Sequence, residues 1–485
     1  MALIVGTVLT TGATTALVVG TAAYYTAYVV GYLAITAVTS IIQKALMPSA
    51  QSSAGSRGYT VNSQGSAQDH QIIYGEVRVG GPIIYDEATG ADNKFFHRIV
   101  AVAGHEVDSF VTFYANDEAL TVDGSGNVTA PANYAGYMRI LTGSGADNQL
   151  ANAALLSESA HWTNSCTLSG IAYIYTRFEY DQDAYPNGVP AITAVVKGKK
   201  LYDPRTGVTE WSSNPALCIR DYLKSSYGLS EADSKIDDAA IISAANICDQ
   251  TVTNAATASP ATSTRYTCNG SFTTQVTPYD TFTNLVSAMG GKIWYGQGKW
   301  RIKPAYWTAP VMDINNDDFR SGIGVSTRHS RRDNFNTLSG TFRGSESDWQ
   351  VTDYPSVTNK TDAGDFVIGG AYAITSVGTT DFTAIGSASN TVGEVFVATG
   401  AGTGSGYANA FLAADNGEES VADVPLTFTA FSLEASRLGL IALEANRQQL
   451  TVSASFGLRT LELEIGDNVR ITNTRFGWTN KEFEV

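Results

Sequence analysis

The side chains able to do chemistry are sparse and scattered. Five histidines occur, at 70, 97, 105, 161 and 329. None falls in an H-E-x-x-H pair or at zinc-finger spacing, which a bound metal would need. His105-Glu106 is the one adjacent base–acid pair, but it has no partner at motif spacing and is read as an ordinary polar position in a strand or turn. Cys166, Cys218, Cys248 and Cys268 include no C-x-x-C and are read as isolated thiols, with a Cys248–Cys268 disulfide open but without support. Arg328, Arg331, Arg332 and Asp333 form a small charged knot that suits a solvated or interface salt-bridge cluster. The Gly-rich run 400–406 (GAGTGSG) is too repetitive for a phosphate loop and reads as a flexible turn. Glycan hydrolysis needs two carboxylates facing a cleft, and sequence cannot pair them. The expectation is a protein that is not an enzyme and carries no cofactor, metal or catalytic residue.

The bulk chemistry agrees with a motif-poor role. Lys and Arg number 31 against 46 Asp and Glu, a formal net charge of −15. Non-specific nucleic-acid binding needs the opposite sign. Frequent Thr, Val, Ser, Gly and Tyr, with few Lys and Glu, point to strands joined by turns rather than to helices. The expected fold class is mainly β with some α (α+β), in several domains.

Residues 1–47 contrast with this, since no charged side chain lies between Ala2 and Gln43. The segment lacks the basic start of a secretory signal and is too long for one. Leu17 to Ile42 is long enough to span a bilayer. Small residues also recur at spacing four, Ala16 and Gly20, then Ala23, Ala27 and Gly31, which lets helices approach closely. Tyr24, Tyr28 and Tyr32 follow the same spacing. These six residues from Ala23 to Tyr32 are the candidate self-association or partner-contact face. A membrane span, with the chain displayed as a surface adhesin, is the alternative.

The remaining organisation follows from turn and strand signals. Residues 48–72 are a Ser/Gly/Gln-rich linker or arm. Residues 73–120 and 183–210 are read as one discontinuous β-domain, with two hairpins turning at Asn116-Asp117 and Lys197-Gly198. Residues 121–182 are read as an inserted peripheral β-domain. Residues 211–363 carry helices: one capped by Asn214-Pro215 and ended by Gly228, one with Ile241, Ala244, Ala245 and Cys248 on a face, one stopped by Gly290-Gly291. Residues 364–411 are nearly uncharged and Gly/Thr-rich, a small inserted β-module. Residues 412–485 begin with a helix whose face is Leu438, Ile441, Ala442 and Ala445, and end in strands.

The order of these pieces resembles a family. YGEVRVGGPIIY, HEVDSFVTFYAND, GVPAITAVVKGKKLYDPRTG, NPALCIRDYL, RYTCNG, GKWRIKPA, DWQVTDYP and IGDNVRITNTRFGWTNKEFEV resemble, in sequence order, the central tail hub or tip attachment proteins of long-tailed phages, the family of the host-specificity protein J of phage lambda. The resemblance covers roughly residues 70–360 and 420–485. It implies a homotrimeric hub at the distal tail tip of a virion, with tube-like β-barrel domains around the DNA path. Implied partners are the distal tail protein, the tape measure protein, and fibre or receptor-binding proteins, with DNA passing without sequence-specific contact. It implies an opening for DNA ejection, with host-membrane contact by residues 16–43 an open possibility, and no catalysis. The 364–411 module departs from the lambda pattern and looks like a surface decoration of virion proteins. A second departure, the short C-terminus, implies that receptor binding falls to other proteins.

Overall fold

The computed structural model describes residues 2–3, 68–254, 260–328, 330 and 333–485. In chain order the first strands are β1 (Ala2–Leu3), β2 (Gln71–Tyr74), β3 (Glu76–Val79), β4 (Ile83–Thr89), β5 (Phe95–Ala103) and β6 (Ser109–Ala115). They continue with β7 (Glu118–Val122), β8 (Val128–Ala130), β9 (Met138–Ser144), β10 (Ala172–Glu179) and β11 (Ile192–Lys197).

β3 to β11 build two sheets that share one core. Their orders are β4-β5-β10-β9 and β3-β11-β6-β7-β8. Val77, Val102, Ala115, Ile140, Ile174 and Val196 meet between them, because alternate residues of a strand face opposite sides. An isolated bridge, Asn127 to Arg139, ties the two sheets at one edge. Residues 121–182, read from sequence as a separate peripheral domain, supply β8, β9 and β10 to these same sheets. The Gly- and Asn-rich turns between those strands hide their common core from a compositional reading. Every sheet among the described residues has a linear strand order, so the expected tube-like barrels appear as open sheets.

The hairpin at Asn116-Asp117 forms as its turn residues dictate, with Asn116 at φ 52° and β6 antiparallel to β7. Arg78, buried, fixes that turn through Asn116 O at 2.6 Å and Asp117 Oδ1 at 3.1 Å. The hairpin expected at Lys197-Gly198 does not form. β11 pairs with β3 and β6, while β12 (Lys200–Asp203) pairs with β13 (Val208–Trp211). The reason lies far away in sequence: Gly198 N–H donates to Gly75 O and Lys199 N–H to Ile73 O, which turns the chain along β2.

Helices supply the second unit. α1 (Ala153–Glu158) flanks the first sheet, and α2 (Pro215–Lys224), α3 (Asp238–Cys248) and α4 (Pro278–Ser287) enclose a larger core. Asn214 caps α2 by accepting from Ala216 N–H, and Pro215 occupies the first turn. The helix stops at Ser225, ahead of Gly228. α3 buries Ile241, Ala244, Ala245 and Cys248, as its periodicity requires. The hairpin after α4 turns through Gln297 and Gly298, both at positive φ. α5 (Ala410–Ala414) precedes α6 (Ser432–Arg447), whose buried stripe is Glu434, Ala435, Leu438, Gly439 and Leu443. Of the expected face, Leu438 is in the stripe and Ile441 and Ala442 pack against the same core, but Ala445 is exposed, so the stripe is shifted toward Ala435, Gly439 and Leu443. Gly439 admits Val357 and Leu338 against the helix backbone, and Glu434 is drawn inward by a polar partner.

Residues 360–409 form a four-stranded sheet around Phe366, Tyr372, Phe382 and Phe396, a core of their own. The C-terminal strands Asn468–Asn473 and Trp478–Glu484 close a further small core, and β1 lies parallel against Phe483–Glu484. The rest of the apolar N-terminal segment expected as a helix, residues 4–47, lies outside the described residues, as does the arm up to residue 67.

Candidate functional site

The strand Gln71–Tyr74 separates the two large cores. Ile73 points into the β-sheet core, while Ile72 and Tyr74 point into the helical core. A polar cluster sits on this seam. The Tyr74 hydroxyl donates to Asp221 Oδ2 at 2.7 Å, Lys199 Nζ donates to both Asp221 oxygens at 2.9 and 2.8 Å, and Tyr227 Oη donates to Oδ2 at 3.0 Å. Burial, then the Asp221 charge, pushes the Tyr74 phenol well above its usual range. Burial opposes the Lys199 ammonium, but Asp221 and Tyr227 outweigh it and raise its pKa. The cluster is saturated by its own partners, so it locks one unit to the other rather than presenting a reactive group.

His105 completes the seam. Its Nε2 accepts from Ile73 N–H at 2.9 Å, and its Nδ1–H donates to Glu106 O at 2.8 Å. Burial depresses its pKa to about 4, so the ring is neutral at physiological pH. Glu106 faces outward to Lys200 at 3.0 Å. The adjacent base and acid therefore do not act on a common point.

The other candidate residues are not brought together. His97 is buried between Thr89 and Tyr175, and His161 pairs with Glu87. The described residues hold no group of three or more His, Cys, Asp or Glu able to bind a metal. Cys218, Cys248 and Cys268 are buried free thiols and Cys166 is partly buried, so no Cys248–Cys268 disulfide is present. Of the charged knot, Arg331 and Arg332 lie outside the described residues, as does the neighbouring His329, and the Asp333 carbonyl accepts from Asn446 Nδ2. The 400–406 run packs its glycines against Thr380 and Ile385 within the small module. Ala23, Tyr24, Ala27, Tyr28, Gly31 and Tyr32 lie outside the described residues.

Two features escape a reading of the sequence. Glu434 is buried in α6, where it accepts from the Thr267 hydroxyl at 2.7 Å and backbone N–H at 2.5 Å, and burial lifts its pKa to about 7. Its position one residue from the apolar stripe was the available signal. The second is apolar surface. Leu150 and Tyr180 on the sheet unit, Trp307 after the hairpin that follows α4, Val367 and Ile368 on the small module, and Leu458 near the C-terminus are all more than half exposed. An open groove of about 820 Å³ follows β9, with Leu150 on its rim. Singly exposed apolar residues are ordinary on a folded protein.

No family model matches the sequence, and no curated protein matches it. Among solved structures, the chain is similar to a chain of the virion of a native gene transfer agent (GTA) particle, with a TM-score of 0.54 and 13% identity. The likeness covers 95% of this chain and 91% of that one, so the fold is shared across nearly the whole length.

Proposed function

We propose that this protein is a structural component of a phage-type tail: the central hub, a homotrimeric ring that closes the distal end of the tail tube. The observation that carries the reading is the likeness, over 95% of the chain, to a chain from a virion. The ordered resemblance to tail hub proteins supports the finer assignment to the tip. In this role the protein works mechanically, not catalytically. It binds the distal tail protein above, the tape measure within and fibre or receptor-binding proteins outside, and it opens for DNA ejection. Three copies closing by one repeated interface would give each exposed apolar patch a fixed neighbour. Net charge of −15 suits a wall past which DNA slides. The test is an electron cryomicroscopy map of the intact particle. Three copies of this chain at the distal tail end are expected; density in the tube wall or head, or a different copy number, overturns the hub.

A further inference from the structure

The small module offers an unfilled strand position. Its sheet is ordered Lys360–Asp362, Tyr407–Asn409, Ala371–Ser376, Val395–Val397, so the last strand is an edge. Ile374 N–H donates to Glu394 O at 2.9 Å and Ala398 N–H to Gly370 O at 2.9 Å. In an antiparallel ladder the backbone groups of alternate residues face alternate sides. Residues 394, 396 and 398 therefore bond inward, and Val395 and Val397 aim their backbone groups outward. The open stretch ends at Val397 O, where a Cβ built on Gly386 would lie 2.5 Å away. Val395 N–H, Val395 O and Val397 N–H remain on the open edge.

Side chains and charge define what fits there. Phe396 is in the module core, while Val395 and Val397 are exposed on the other face. Exposed Val367 and Ile368 stand beside the strand end, since Gly369 N–H donates to Ala398 O at 2.8 Å. Residues 364–410 contain Asp365, Asp381 and Glu394 and no Lys, Arg or His. Native edges are commonly blunted by shortness, lysine, proline or a bulge; this one is short, at three residues, but has no lysine, proline or bulge. We propose that this edge receives an extended strand of another protein, apolar on one face and flanked by Lys or Arg. The backbone ladder would give affinity, the valines would select the apolar face, and the excess of acidic residues between 364 and 410 would favour basic flanks. The inference does not rest on the hub assignment, because any partner with that chemistry satisfies it.

The test uses the full chain and two labelled peptides, Lys-Thr-Val-Thr-Val-Thr-Lys and its counterpart with Glu at both ends, read by fluorescence anisotropy. Saturable binding of the basic peptide is expected, at least tenfold tighter than the acidic one. Val397→Pro removes one outward N–H, and V395K with V397K replaces the apolar face by like charge; each should cut binding at least tenfold. Circular dichroism melting shows that the variants are folded. Absence of saturable binding to the folded wild type, or binding unchanged in both folded variants, overturns the proposal. So does a concentration-dependent dimer of the wild type that V395K with V397K abolishes, because the edge would then pair with a second copy.

Discussion

The Tyr74 hydroxyl meets the Asp221 carboxylate at 2.7 Å across 147 positions of chain. That bond joins the strand between the two large cores to the first long helix of the helical unit. Removing the hydroxyl in Tyr74→Phe leaves Asp221 with Lys199 and Tyr227, and should cost about 1 kcal/mol. Lys199→Met removes the cation from a mostly buried carboxylate and should cost more, about 2 kcal/mol. Adding Asp221→Asn to Lys199→Met should recover part of that loss, since the charge left unpaired is gone. Urea unfolding of the three variants checks the order; equal effects would place the stabilisation elsewhere.

His105 and Glu434 give stability two opposed pH dependences. His105 is held neutral in the fold, with its pKa lowered from 6.5 to about 4. The unfolded chain binds the extra proton first, so this contribution is complete above pH 6.5 and is lost as pH falls from there toward 4. Glu434 is the reverse, raised from 4.5 to about 7. Its neutral form suits the fold, so stability is complete below pH 4.5 and declines as pH rises toward 7. Each swing is at most about 3 kcal/mol. The two windows overlap, so the swings largely offset one another in the wild type. H105Q should leave the decline above pH 4.5 unopposed, and E434Q should leave the rise from pH 4 to 6.5 unopposed, as read by denaturant midpoints from pH 4 to 8.

Gly198 and Gly124 separate crowding from mere loss of a glycine. A Cβ on Gly198 would lie 2.2 Å from Ile73 O, a backbone atom that cannot swing aside, whereas one on Gly124 meets nothing within 4 Å. Gly198→Ala should cost roughly 1–3 kcal/mol. Gly124→Ala should stay within about 0.5 kcal/mol of the wild type. Thermal melting distinguishes them.

Much of the helical unit could be read from sequence, because its signals are local. Asn214-Pro215 starts α2 and the Ile241–Cys248 stripe of α3 faces inward by residue type alone. The Asn116-Asp117 hairpin belongs to the same class, since the turn needs only its own residues. What failed depends on distant partners. Nothing in AITAVVKGKKLYD says that Gly198 and Lys199 will bond to Gly75 and Ile73, over a hundred positions earlier. The stripe of α6 shifts because Thr267 and Val357, from other parts of the chain, decide which side of the helix is covered. The seam cluster was invisible for the same reason: Tyr74, Lys199 and Asp221 are ordinary residues until the two units meet.

Deleting residues 364–405 and joining the flanking strands by a short turn should leave the rest folded. Lys360–Asp362 and Tyr407–Asn409 are already antiparallel neighbours, and the module keeps its aromatic core to itself. The expected result is a melting temperature within a few degrees of the full chain. Loss of cooperative melting would show that the module supports the main cores.

That pairing of the module's two ends has a meaning for inheritance. Lys360 sits opposite Asn409 and Thr361 opposite Ala408, so the body offers a doorway only one strand spacing wide. A coding segment of any length whose product begins and ends side by side can be exchanged there by recombination without disturbing either large core. Diversity can therefore accumulate at this one position of the gene while the two large cores keep their packing.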